Sequence, residues 1–286
     1  MPKKNIGKYT LKKVLISILA IFLIIICVGP VFFIFWNSPK TLDEYGKSKF
    51  APPENFENFI NNLNSLIKLG LIKQIINTII FVITGIILTS IFASISGYAF
   101  DKLVFPGRNI IYWVVIGLLA MPTQVFIIPL FVLFSKLNLT NNLFTLAILH
   151  TTFNYGFGTF LMKSFYTGIP NELLESARID GANSFDIYLK IMLPLGKPAI
   201  VTLSILNFFG FWNDLFIGLI FNQSENSRVI TPGIAILQQA ARAGSGLTQW
   251  TVIFTAIIIS LIFPLIIYIV FQNRLSSGIT VGAIKG

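Results

Sequence analysis

Charge is scarce in this chain. Only 11% of its 286 residues are Asp, Glu, Lys or Arg, against roughly 25% in an ordinary soluble domain. A soluble protein of this length would need far more polar surface to stay monomeric in water. Cysteine and histidine occur once each, as Cys27 and His150. A lone thiol excludes an internal disulfide and a metal site built on paired cysteines; the burial tendency of free Cys makes Cys27 an inert interior residue in expectation. A lone histidine excludes a His-x-x-x-His ligand pair. The Gly-x-x-x-x-Gly-Lys-Ser/Thr phosphate loop is also absent. Gly46-Lys47-Ser48 comes nearest, but Thr41 stands where the first glycine is required. No convergent nucleophile and base mark a membrane-embedded enzyme.

Apolar residues are abundant. Hydrophobic residues make up 55% of the chain, and the mean hydropathy is +0.80. The net charge is +10, but the lysines and arginines flank apolar runs rather than gathering on a polar face. That placement suits lipid headgroups and membrane orientation, not nucleic acid.

A bilayer-crossing helix needs about 20 mostly apolar residues. Six runs qualify: residues 14–36, 75–100, 110–134, 143–162, 199–221 and 250–271. Pro122 and Pro129 should bend the third. The expected fold is an all-α membrane protein. Lys3, Lys4, Lys8, Lys12 and Lys13 precede the first run as they would in a signal peptide. That run is too long for such a peptide and no small-residue cleavage site follows, so an uncleaved anchor helix is expected.

Six spans place five basic groups of residues on one side: the N-terminal lysines; Lys102 and Arg108; Lys163; Arg178, Lys190 and Lys197; and Arg274 with Lys285. These are 13 of the 21 Lys and Arg residues, which predicts both termini in the cytoplasm. The expected organisation is a basic N-terminus and first helix (1–36), an external loop (37–74), a core (75–272) and a cytoplasmic tail (273–286). A helix lying along the outer face between residues 55 and 71 is compatible with the loop's composition.

The segment at 170–198, inside the core, is too polar for lipid. Pro170 fits a helix's first turn, and Glu172 and Glu175 suit its positive end. Gly181 supplies a left-handed stop, Asn183 or Ser184 can cap a second helix, and Pro194 and Pro198 should end it. The result is a helix–Gly–helix knob. Leu173, Leu174 and Ala177 could form a strip that docks into a partner's groove; an amphipathic loop lying on the lipid surface is the alternative.

The spacing of Glu175, Ser176, Ala177, Gly181, Ile191, Leu193 and Pro194 resembles the EAA motif of bacterial ABC importer permeases, with Ser176 where the motif has Ala. Met121-Pro-Thr-Gln124 with Pro129-Leu-Phe131, Phe211-Trp-Asn-Asp214 and the tail at 278–286 extend the likeness. Together they resemble the carbohydrate-uptake permeases, specifically the smaller six-span permease of the maltose type. The resemblance implies two different permease subunits and a cytoplasmic ABC ATPase dimer that binds ATP and Mg. It further implies an extracellular solute-binding protein and a sugar substrate, in a bacterial cytoplasmic membrane, with no cofactor on this chain. Glu175 and Ala177 would face the ATPase, Gly181 would set the knob's bend, and Leu193-Pro194 would join it to the fifth span. The tail would also reach toward the ATPases.

Polar groups within spans tend to face a bundle interior or a cavity. They are Asn77, Gln124, His150, Asn154, Tyr155, Asn207, Trp212, Asn213 and Asp214. Amides, acids and a flat aromatic face suit a sugar, and Trp212-Asn213-Asp214 offers all three in one turn. The same residues could instead hold helices together, with His150 a hydrogen-bonded interior group or a proton relay. Residues 222–249 read as an external loop, with Gln238, Gln239, Arg242 and a Gly244-Ser-Gly246 hinge. In the family the corresponding loop approaches the binding protein; an exposed linker is the plain reading. An ion-coupled secondary transporter remains an alternative, but it needs intramembrane ionisable groups, and only Asp214 is clearly acidic within a span.

Overall fold

The computed structural model describes residues 6–244 and 249–283, with side chains described for 13–244 and 249–273. Lys3 and Lys4, the Ser245 and Gly246 of the hinge, and residues 284–286 of the tail lie outside the described residues.

The helices are α1 (Ile6–Asn37), α2 (Leu42–Lys47), α3 (Glu57–Lys68), α4 (Leu71–Lys102), α5 (Arg108–Gly117), α6 (Gln124–Lys136) and α7 (Leu143–Thr167). They continue with α8 (Glu172–Ile179), α9 (Ser184–Ile187), α10 (Leu193–Leu195), α11 (Lys197–Trp212), α12 (Phe216–Phe221), α13 (Ile230–Arg242) and α14 (Trp250–Ala283). No strand occurs among the described residues. The chain divides into two compact units, residues 1–69 with 236–259, and residues 70–235 with 260–286.

In the first unit, α1 is apolar all round and none of its most apolar stretch is buried. Cys27 sits on this helix and is exposed, contrary to the interior position expected of it. A thiol behaves as a small apolar group, and a helix surrounded by lipid gains nothing by turning such a group inward. The end of α1 is fixed by polar contacts instead. Trp36 Nε1 donates to Ala51 O at 2.9 Å, and Asn62 Nδ2, on α3, donates to Ser38 O at 2.8 Å. The Lys40 amine is buried and donates to Ser48 O at 3.1 Å and Lys49 O at 3.3 Å. Burial pushes its pKa below the usual lysine value, against the opposing charge of Glu44. A helix, α3, does form within the 55–71 segment.

The second unit is organised around α4 and α7. Along α4, Gly85, Thr89, Ala93 and Gly97 recur every four residues and are buried. This is the small-residue spacing that lets membrane helices approach closely. A Cβ on Gly97 would lie 2.6 Å from Met162 Cβ and 2.8 Å from Lys163 N, so the two backbones are nearly in contact. A Cβ on Gly158 would meet Ala93 Cβ at 2.8 Å, and Thr89 Oγ1 donates to Thr151 Oγ1 at 3.2 Å. α7 does not stand out as a membrane span by apolarity. Its Thr145, His150, Thr151 and Thr159 are buried against neighbours, where polar side chains are tolerated.

Among the described residues, three helices are long and apolar enough to cross a membrane: Lys13–Asn37, Leu71–Lys102 and Trp250–Asn273. Two further candidates are sharply bent. The third expected span breaks between Arg108–Ala120 and Gln124–Lys136, with a 102° bend. Met121, forced out of the helical region by Pro122, has φ −90° and ψ 124°, whereas Pro129 lies inside α6 without ending it. The fifth expected span stops at Trp212 and resumes as α12, so residues 199–221 are not one helix. The expected loop at 222–249 contains α13; its Pro232 is tolerated because it lies in the first turn.

Gly97→Ala should lower stability by about 1–3 kcal/mol, the ordinary cost of overpacking. Gly29→Ala, whose Cβ would meet nothing within 4 Å, should be near neutral. Thermal unfolding of the two variants in detergent checks the contrast.

Candidate functional site

The 170–198 segment folds as a knob seated on the α4–α7 pair. Asn171 starts α8 without capping it; its Oδ1 accepts from Lys102 Nζ at 2.9 Å instead. Pro170 therefore precedes the helix rather than occupying its first turn. Glu172 and Glu175 lie in that turn, where the helix dipole favours negative charge. Gly181 has φ +86°, the left-handed stop that only glycine adopts without strain. Asn183 is the cap of α9, its Oδ1 accepting from Phe185 N and Asp186 N at 2.9 Å each. Asp186 accepts from Lys190 Nζ at 2.8 Å. The hydrogen bond and charge of that lysine hold its carboxyl below the usual range.

The prolines act differently from expectation. Tyr188–Met192 form one widened π turn and Leu193–Leu195 continue it. Pro194 cannot donate to the carbonyl four residues back, and a widened turn just before it accommodates that loss. The path then turns by 69° into α11.

The docking strip also needs correction. Leu174 is buried, in one apolar cluster with Tyr98, Met162, Tyr166, Ile187, Tyr188 and Met192, and Ala177 and Leu193 pack against it. Leu174 and Ala177 therefore hold the knob to its own protein. The outward apolar groups are Leu173, Ile179, Phe185 and Leu189, with Ile179 87% exposed. Glu175, Ser176, Gly181 and Pro194 are exposed and Ile191 is half-buried. An amphipathic pattern locates an apolar face, but not whether the face meets the protein's own core or a partner.

The intramembrane polar residues do not form one cluster. Gln124 is exposed at the start of α6. Asn154 and Asn213 donate to carbonyls four residues back in their own helices, His150 O and Phe209 O, each at 2.9 Å. Asn77 donates to Asn226 O and Arg228 O, and Tyr155 shares a hydrogen bond with Ser96. Asp214 is a capping group, its Oδ2 accepting from Gly218 N at 2.8 Å in α12. His150 packs against both Phe81 and Phe211, its ring centroid 5.0 Å from each, and those two rings touch one another at 5.8 Å. Its Nε2 lies 3.4 Å from Asp214 Oδ2. That distance permits an ion pair when the ring is protonated, but the alignment is too poor for a hydrogen bond. Trp212 stacks on Phe208 at 5.5 Å. Asn207 Nδ2 and Trp212 Nε1 are buried without hydrogen-bond partners among the described residues.

Residues 101–281 match a family described as the binding-protein-dependent transport system inner membrane component. The chain belongs to this family. It is a membrane subunit of a transport system, not an enzyme, and the ion-coupled alternative falls away. The diacetylchitobiose uptake system permease protein NgcG of Streptomyces coelicolor is 28% identical over 263 residues, covering 91% of this chain and 85% of that protein. The alpha-glucoside transport system permease protein AglG of Rhizobium meliloti is 29% identical over 222 residues, 76% of this chain and 57% of that protein. A chain from the crystal structure of a bacterial ABC transporter involved in the import of the acidic polysaccharide alginate matches with a TM-score of 0.79 at 24% identity. The match covers 96% of this chain and 99% of that one. The fold is that of an ABC importer permease.

Sequence reasoning missed the small-residue stripe at 85, 89, 93 and 97, although its four-residue spacing is visible in the second span. It also missed Tyr98, Lys102, Tyr166 and Tyr188, which no local pattern marks.

Gly181→Val should strain the knob by about 1–2 kcal/mol, the cost of a left-handed side-chain residue, whereas Gly181→Asn should cost less. Protease nicking of the 172–190 segment in inside-out vesicles should be faster for Val than for Asn.

Proposed function

We propose that this chain is one of two permease subunits of an importer that carries a sugar or oligosaccharide across a bacterial cytoplasmic membrane. The second permease, a cytoplasmic ATPase dimer and an extracellular binding protein complete the assembly. ATP and Mg belong to the ATPase, and this chain supplies no cofactor. Relatives named for diacetylchitobiose and alpha-glucoside uptake support the carbohydrate class. In this reading the chain crosses the membrane six times with both termini inside, the spans being α1, α4, the bent pair α5 and α6, the enclosed α7, α11 with α12, and α14.

The observation that carries the proposal is the knob's exposed surface. Glu175, Ser176 and Gly181 are exposed together with Leu173 and Ile179, while Ala177 and Leu193 pack against the cluster that ties the knob to the transmembrane helices. A partner groove can therefore push on a part that does not collapse. The ATPase then acts by biasing a two-state, rigid-body switch through contacts that differ between the states. The sugar's path has two unpaired donors to draw on, the buried Asn207 Nδ2 and Trp212 Nε1, although the indole ring itself is packed against Phe208 and Phe263. Gln124, Asn154, Asn213 and Asp214 remain secondary candidates, since all but Gln124 already bond to backbone.

Affinity capture of this chain from its native membrane in mild detergent should recover a second permease and an ATPase. Glu175→Lys and Gly181→Pro should keep the chain inserted and abolish ATP-driven sugar uptake. Asp214→Asn, which keeps an acceptor for Gly218 N, should keep most of it. Recovery of the chain alone, under conditions that preserve a known importer, would overturn the proposal.

A further inference from the structure

The cytoplasmic segment connects α7 to α11, yet it is held at both ends by a third helix, α4. At the first end, Lys102 Nζ donates to Ile169 O at 2.7 Å and Asn171 Oδ1 at 2.9 Å. Asp101 lies 3.2 Å from the same ammonium and accepts from Thr167 Oγ1 at 2.7 Å. At the second end, Tyr98 OH donates to Ser184 O at 3.0 Å. Tyr188 OH donates to Ser94 Oγ at 3.1 Å, and Ser94 shares a further bond with Tyr166 OH at 2.8 Å. Residues 94, 98 and 102 stand four apart, one above another on a single helix face. The knob at 172–183 projects between these two anchor points.

The opposite end of α4 makes a second set of ties. Lys73 Nζ donates to Asn226 Oδ1 at 2.6 Å, and Asn77 Nδ2 donates to Asn226 O at 3.0 Å and Arg228 O at 2.9 Å. Ile230 N donates to Thr78 Oγ1 at 2.8 Å. Between the two sets α4 runs as one helix of 32 residues without proline, ~48 Å long at about 1.5 Å per residue. No proline or π turn interrupts it, and the Ser96-Gly97 pair, a step that can kink a helix, lies within the first anchor set between Ser94 and Tyr98, packed against Met162 and Lys163.

We propose that α4 is the transmission element of this subunit. Lys102 and Tyr98 are positioning residues that make the cytoplasmic segment and α4 one body. Thr78 and Asn77 pass that body's movement to the 226–230 turn at the far end. The connections at Gly168 and Gly196 could otherwise absorb a push on the knob, and the clamps on α4 prevent this. The inference rests on the importer reading above and adds to it which helix carries the signal and which residues fasten it.

The test uses the whole complex, purified through a tag on this chain and reconstituted in nanodiscs. ATP hydrolysis is measured with and without the sugar-loaded binding protein. In Lys102→Met, Tyr98→Phe and Thr78→Val, basal hydrolysis should persist. Stimulation by the binding protein should fall by about fivefold or more, the lower range of ordinary coupling between sites. Lys102→Arg, which can still donate to Ile169 O and Asn171 Oδ1, should restore it. A merely structural role would lower assembly and basal activity together and leave the stimulation ratio unchanged. Tyr98→Phe, which loses a single hydroxyl, carries the comparison if Lys102→Met does not assemble. Equal stimulation of wild type and variants would overturn the transmission role alone. A wild-type complex that its binding protein does not stimulate would overturn the importer reading, and this inference with it.

Discussion

The close approach of α4 and α7 is the constraint on which the second compact unit depends. Lipid tails are as apolar as leucine, so helices in a membrane are not driven together by the hydrophobic effect. Dispersion and polar contacts must do it, and both fall off steeply with distance. Gly97 against Met162 and Lys163, and Ala93 against Gly158, bring the backbones close enough for these to act. Thr89 can then reach Thr151, and Ser94 can reach Tyr166. A larger side chain at Gly97 would push the backbones apart and lengthen these contacts.

The same packing explains where polarity is allowed. α7 carries His150, Thr151, Asn154 and Thr159 because α4 and α11 enclose it. His150 packs against Phe81 on α4 and Phe211 on α11, with Asp214 at the break that follows α11. At the other end of the helices, Asp101, Lys102 and Lys163 form a charged collar, with Lys163 Nζ 3.9 Å from Asp101 and 4.9 Å from the Tyr112 ring centroid. The collar sits where the chain leaves the apolar bundle for the knob, and charges at that level need not be buried in lipid.

The knob was legible in the sequence because its signals are local. A charged stretch between apolar runs, a glycine needing positive φ and an asparagine before an acidic first turn each act within a few residues. Its orientation was not legible. Leu173 and Leu174 are adjacent and chemically alike, and only the positions of Tyr98 and Tyr166, distant in sequence, decide which is buried. The broken spans were misread for a related reason. Residues 199–221 are apolar throughout, and hydropathy does not register that the Asp214 carboxylate captures Gly218 N and starts a new helix. Residues 222–249 were read as a loop, although Ile230–Arg242 form α13 and its Pro232, in the first turn, is harmless. Cys27 was placed inside by a tendency measured in water, which has no force on a lipid-facing helix.

These observations describe a subunit in which one unbroken helix holds the 172–183 knob at one end and the 226–230 turn at the other. The most direct test is a distance. Spin labels on Ile179→Cys and Gln223→Cys, both exposed sites, in a Cys27→Ser background would report the separation of the two ends by pulsed electron resonance. The separation should be the same in the nucleotide-free and ATP-trapped complex, because both ends move with α4. A change beyond about 5 Å, the size of a one-turn shift between packed elements, would show that the knob moves independently of α4 and would contradict the account.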